Sequence, residues 1–210
     1  MSLVELIAQA DERGLAASGL ACLDRCLPLL GGDDEALRPL WAGLAGNGDW
    51  AAGLQQARGK LAGEGATGAD GIGEGTTDGD GTGEGTTGPD GTGEDEAVLL
   101  ARRMLAAAPA ELSAAAVREW ADGCSVAALR IHRLLDPVAD GASSVDTCRE
   151  GRTDGASPLV AAELRRQIAV LELLAAHGAG GLRGALEASV EGRRVLRAVV
   201  SRRARGRAER

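Results

Sequence analysis

The stretch LAASGLACLDRCLPLL, residues 15–30, decides the fold class. Its residues Leu15, Gly19, Cys22, Leu23, Cys26, Leu27 and Leu30 recur at steps of three and four, which is the spacing of one buried helical stripe. The rest of the chain has the same character. Forty Ala and twenty-eight Leu stand against twelve Val, four Ile, three Trp and no Phe or Tyr among 210 residues. Strands draw on β-branched and aromatic side chains and helices on Ala and Leu, so the composition predicts an all-α protein.

Helix signals lie on both sides of this stretch. Ser2-x-x-Glu5 is a capping box that starts a short helix through about Arg13, loosened by Gly14. Gly31-Gly32 ends the quoted stretch, and Asp33 or Asp34 caps a helix whose inward face is Leu37, Leu40, Trp41 and Leu44. After the turn Gly46-Asn47-Gly48, Asp49 caps a helix with Trp50, Leu54, Ala57 and Leu61 inward. Further on, a helix from about Asp95 to Ala107 stops before Pro109. Ser113 caps one through Trp120, and Ser125 caps another with Ala127, Ile131, Leu134, Leu135 and Val138 inward. Residues 141–157 read as a polar loop. Ser157-Pro158 opens a helix facing inward through Val160, Leu164, Ile168, Leu171 and Ala175, and Gly178 closes it. A last helix from about Gly181 carries Leu182, Leu186, Val190, Leu196 and Val199.

Between the helical halves lies a tandem repeat: GEGATGADGI (63–72), GEGTTDGDGT (73–82), GEGTTGPDGT (83–92), then GEDE. Thirteen of residues 63–93 are glycine, and Ile72 is the only sizeable apolar side chain. Such a segment cannot offset its backbone entropy by burial, so disorder is expected. The period of ten does not fit calcium-binding nonapeptides, and an EF-hand loop begun at Asp78 places Pro89 where a bidentate Glu is needed.

The expected organisation is a helical bundle, or bundles, interrupted by a long disordered Gly/Thr/acidic linker. It divides into an N-terminal helical segment (1–62), the acidic repeat linker (63–96), a C-terminal helical segment (97–192) and an Arg-rich tail (193–210). Charge follows these divisions. The linker has ten acids and no base, and the tail has eight Arg and one acid, within a chain of net charge −8.

Composition excludes several classes of function. Without aromatic platforms there is nothing on which to stack single-stranded bases, and one Lys against twenty-two Arg leaves almost no material for lysine chemistry. No Walker loop, nucleophile elbow or Rossmann fingerprint occurs, and glycine strings such as Gly63-x-Gly65-x-x-Gly68 follow no strand. The opening residues lack a signal-peptide pattern, no stretch is apolar enough to span a bilayer, and four Cys do not make a disulfide scaffold, so a cytoplasmic location is expected.

Four features carry potential chemistry. Cys22 and Cys26 share a helical face, which could offer two thiolates to a metal, but they fall on the apolar stripe, where Cys packs as a small hydrophobe. His132 and Asp136 stand four apart, the raw material of an oriented general base, and read as a surface i,i+4 pair. His177 reads as a cation in the last turn of its helix. Arg193, Arg194, Arg197, Arg202, Arg203, Arg205 and Arg207 form a candidate polyanion-binding set on a basic amphipathic segment.

The functional expectation is a non-enzymatic cytoplasmic helical interaction protein, an adaptor or regulator with an unidentified protein partner and no cofactor or metal. The alternative is a nucleic-acid-associated protein holding phosphates through the tail. A second alternative is a helical metal or redox protein built on Cys22 and Cys26. The linker reading is checked by limited proteolysis: first cuts are expected within residues 63–96, leaving two helical pieces. Amide exchange as slow there as in the helices would refute it.

Overall fold

The computed structural model describes residues 1–63, 89–136 and 143–209. The fold is all-α, and no strand occurs among the described residues. The helices are α1 (Leu3–Gln9), α2 (Glu12–Cys26), α3 (Arg38–Leu44), α4 (Trp50–Gly63), α5 (Pro89–Ala106), α6 (Ala114–Leu135), α7 (Val145–Arg149), α8 (Pro158–His177) and α9 (Leu182–Ala208). Short 3-10 turns follow α2 at Leu27–Leu29, where Pro28 stands, and α8 at Gly178–Gly181.

The helix at the centre is α2. It packs most extensively on α6 and α9, with α8, α3 and α5 completing its surroundings. Residues Gly14 to Cys26 are buried without interruption, so the helix is buried all round rather than along the single stripe its spacing suggests. A helix enclosed on every side must also take its polar residues inside, and Ser18, Asp24 and Arg25 are buried with it. The N- and C-terminal segments therefore share one continuous core.

Local signals set the ends of the first helices. Ser2 and Glu5 form the reciprocal capping box, Ser2 N–H donating to Glu5 Oε2 at 2.7 Å and Glu5 N–H to Ser2 Oγ at 3.3 Å. The break after α1 comes before Gly14. Ala10 is extended, and Asp11 Oδ1 accepts from Gly14 N–H at 2.7 Å to cap α2. Asp33 closes a turn by accepting from Glu35 N–H at 3.0 Å, while α3 begins only at Arg38, with Pro39 in its first turn. Asp49 does cap α4, accepting from Ala52 N–H at 3.2 Å. Trp50, Leu54, Ala57 and Leu61 face the core as their periodicity predicts.

Farther along, the structure corrects four boundaries. The start of α5 at Pro89 lies inside the stretch assigned to the linker, and the disorder expected of the repeat concerns residues 64–88, outside the described residues. No break occurs near Gly123, where two helices are expected. Continuous packing of α6 on α2 and α5 outweighs the roughly 1 kcal/mol that a helical Gly costs. Ser125 consequently does not cap a helix: its hydroxyl donates to Gln167 Oε1 at 2.7 Å in the core. Within the expected polar loop, α7 folds behind a Ser144 cap and buries Val145 and Cys148. Finally, α9 runs without interruption to Ala208, so the division at residue 193 falls inside a helix.

Small residues let these helices approach closely in place of aromatic filler. The indole of Trp120 lies over Gly19, where an added Cβ would stand 2.9 Å from Cε3. Trp50, from the N-terminal segment, meets Trp120 edge-on, with ring centroids 5.9 Å apart at 69°. Both indole N–H groups donate to backbone carbonyls, Trp120 to Met104 at 2.9 Å and Trp50 to Pro109 at 2.7 Å. No helix among the described residues is long and apolar enough to cross a membrane.

Candidate functional site

Two groups of polar side chains stand out, one sealed in the core and one along α9. The first is centred on Arg25, whose position in α2 directs it at α8. It binds Glu163 through two parallel bonds, Nε to Oε2 at 2.8 Å and Nη2 to Oε1 at 2.6 Å. Both side chains are entirely excluded from solvent. Gln167, one turn beyond Glu163, donates to Glu163 Oε1 at 2.8 Å and accepts from Ser125 of α6. The Arg25 stem needs room on its other side, and Gly192 of α9 provides it: an added Cβ there would lie 2.3 Å from Arg25 Cδ.

His132 belongs to this group. Its expected place in a surface pair with Asp136 is corrected by the structure, because the ring is 1% exposed and Asp136 only 4%. His132 Nδ1 lies 2.8 Å from the Ala128 carbonyl, which can only accept, so Nδ1 carries the proton. Nε2 then faces Glu163 Oε2 at 3.6 Å. Asp136 instead accepts from Leu159 N–H at 2.9 Å, capping the start of α8 in place of Ser157, whose side chain makes no cap bond.

Burial governs the ionisation here. Loss of water pushes the His132 pKa below its usual value, and the Glu163 carboxylate opposes this only in part. Burial works to raise Glu163, but the Arg25 guanidinium overcomes it and leaves the carboxyl below its usual range. Sealed in this way, the network holds charges without presenting any of them to a substrate, and its chemistry is that of a structural lock.

The cysteines share this interior. Cys22, Cys26, Cys124 and Cys148 are all free and buried. Burial pushes the Cys22 thiol up to about 12, although its sulfur accepts from Arg25 Nη2 at 3.3 Å. A thiol at that value is a poor source of thiolate for a metal or a disulfide exchange. Among the described residues, no three His, Cys, Asp or Glu side chains are placed to hold a metal ion.

The second group is the arginine series of α9, which the fold divides. Arg193 is 5% exposed and pairs with buried Asp24 at 2.9 Å, and Asp24 also accepts from the Trp41 indole at 2.8 Å. Arg197 pairs with Asp34 at 2.6 Å, and that bond holds the Asp34 carboxyl below its usual range. Arg203 donates to the Leu135 carbonyl at 3.5 Å, and Arg207 pairs with Glu94 at 2.5 Å. Arg194, Arg202 and Arg205 are exposed, and none makes a hydrogen bond or ion pair within 4 Å of the described residues. Helical spacing places these three within roughly 80° of the circumference and over roughly 16–17 Å of the axis.

Compared with protein-family models, with curated proteins and with solved structures, the chain matches none.

Two measurements check the core network. Glu163→Leu alone leaves the Arg25 charge buried and unpaired, and is expected to cost about 3–5 kcal/mol in urea unfolding. Adding Arg25→Met should recover most of that loss, and a double variant as unstable as the single one would contradict the account. The second concerns pH. Below the unfolded-state value of 6.5 the unfolded chain binds a proton that folded His132 resists, so stability falls as pH drops from 7 toward 5.5. In His132→Leu this part of the slope should disappear.

Proposed function

We propose that this chain is a non-enzymatic cytoplasmic interaction protein, an adaptor or regulator that meets an acidic segment of a partner protein on the solvent face of α9. The observation that carries the reading is the division of the arginines. Arg193, Arg197, Arg203 and Arg207 are tied to carboxylates or carbonyls of the fold, while Arg194, Arg202 and Arg205 point together into solvent. Guanidinium groups held on a rigid helix lose little freedom when they take up carboxylates in paired bonds.

The same face favours a short acidic segment over a long polyanion. Toward the N-terminal end of α9 it turns acidic, with Glu191 exposed in the same sector and, one turn further, Glu187, which is paired with Arg183. A nucleic acid following the helix would run onto these carboxylates. If phosphates were bound through the three arginines alone, the slope of log affinity against log salt would be only about −2.7, a small value for a duplex-binding protein.

The test is a titration with fluorescein-labelled polyglutamate and, separately, with a labelled DNA duplex at matched salt. The triple variant Arg194→Ala, Arg202→Ala, Arg205→Ala should lose about tenfold in polyglutamate affinity, as expected for three exposed charge contacts. Arg183→Ala, whose arginine is engaged with Glu187 at 3.1 Å, should bind as the intact chain does. Unchanged polyglutamate binding in the triple variant would refute the assignment, and tighter binding of the duplex would move it to nucleic acid.

A further inference from the structure

The outer face of α5 and α6 carries a second feature, independent of α9. Between the two helices runs a groove of about 430 Å³ with Met104 and Trp120 at its base. Ala107 and Gly123 keep it open, and a Cβ added at Gly123 would meet nothing within 4 Å. Its two walls bear opposite charges, Arg103 on α5 and Glu119 on α6. Neither side chain forms a hydrogen bond or ion pair with any described residue.

Leu99 of α5, one turn before Arg103 and outside the groove lining, is 50% exposed. The other exposed large apolar side chains among the described residues, Met1 and Val4, belong to the chain's first turn. Leu99 and Arg103 are four residues apart on α5 and therefore share a helical face. One surface thus presents an apolar knob, an apolar hollow, an unpaired cation and an unpaired anion. A single charge sign on both walls would call for a different partner. Opposite signs make the surface complementary to itself, because a twofold axis brings residue i onto residue j and j onto i.

We propose that the α5–α6 face is a homodimer interface. Leu99 of each copy enters the other's groove above Met104 and Trp120, and Arg103 of each copy pairs with the partner's Glu119. The contact buries the exposed leucine twice and engages four charges that the monomer leaves unpaired. Alanine and glycine along both walls let the helices of the two copies come close enough for this exchange.

Sedimentation velocity on the full chain over a range of concentrations tests the proposal. The intact protein should sediment as a reversible dimer. Leu99→Glu, Arg103→Glu and Glu119→Arg should each weaken dimerisation at least tenfold, and combining Arg103→Glu with Glu119→Arg should restore it to within a few-fold. All three positions are exposed or at the groove wall, and circular dichroism on each variant confirms that the fold is intact. An intact chain that stays monomeric at every concentration overturns the proposal. So does a dimer indifferent to Leu99→Glu, or a double reversal that dissociates as its single reversals do.

Discussion

A guanidinium at the centre of the core constrains everything around it. Arg25 has no solvent to fall back on, and removing a cation from water costs several kcal/mol even after relaxation. Only a carboxylate in paired geometry offsets that, so Glu163 must arrive opposite it, which fixes the register of α8 against α2. Glu163 in turn needs Gln167, Gln167 meets Ser125 on α6, and the Arg25 stem needs Gly192 on α9. One buried charge thereby sets the relative positions of four helices drawn from both halves of the sequence.

This constraint supplies what the apolar packing lacks. Interfaces made mostly of alanine and leucine fit tolerably in several registers, since small smooth faces slide past one another with little change in buried area. Bulky aromatic side chains would normally distinguish one register from the next, and this chain has only three Trp. Two of them are used in this way, Trp120 over Gly19 and Trp50 against Trp120. The ionic network does the same at the other end of α2. Asp24 extends it outward, joining Trp41 of α3 to Arg193 of α9.

How much of this was legible in the sequence depends on whether the signal is local. The Ser2–Glu5 box, the Asp49 cap and the inward face of α4 were readable because each involves neighbours within a turn or two. The same logic misplaced Ser125, since a serine before an apolar run looks like a cap whether or not the chain breaks there. On α8, Ile168 and Ala175 were expected inward, yet Glu163 and Gln167 occupy the buried face beside Val160 and Leu164, while Ile168 is half-buried and Ala175 exposed. Polar residues read as outward unless a partner is known, and the partner of Glu163 lies 138 positions away. One clue was available. Asp24 and Arg25 lie within a run apolar on all its faces, and charges enclosed in such a helix require partners.

The arginine tail shows why charge summed along a chain differs from charge presented by a fold. Residues 193–210 carry eight arginines and one acid, which suggests a uniform cationic arm. In the structure α9 threads this segment past acids contributed from elsewhere: Asp24 in the core, Asp34 before α3 and Glu94 in α5. Only Arg193 is buried by its pairing; Arg197 and Arg207 stay partly in solvent, but each pairing sets a carboxylate against the cation and ties one more turn of α9 to the body of the protein. The arginines outside these ion pairs, Arg194, Arg202 and Arg205, are the ones that the proposed partner would meet. The helical period that turns Arg193, Arg197 and Arg207 toward the body of the protein is the same one that gathers the others on its outer side.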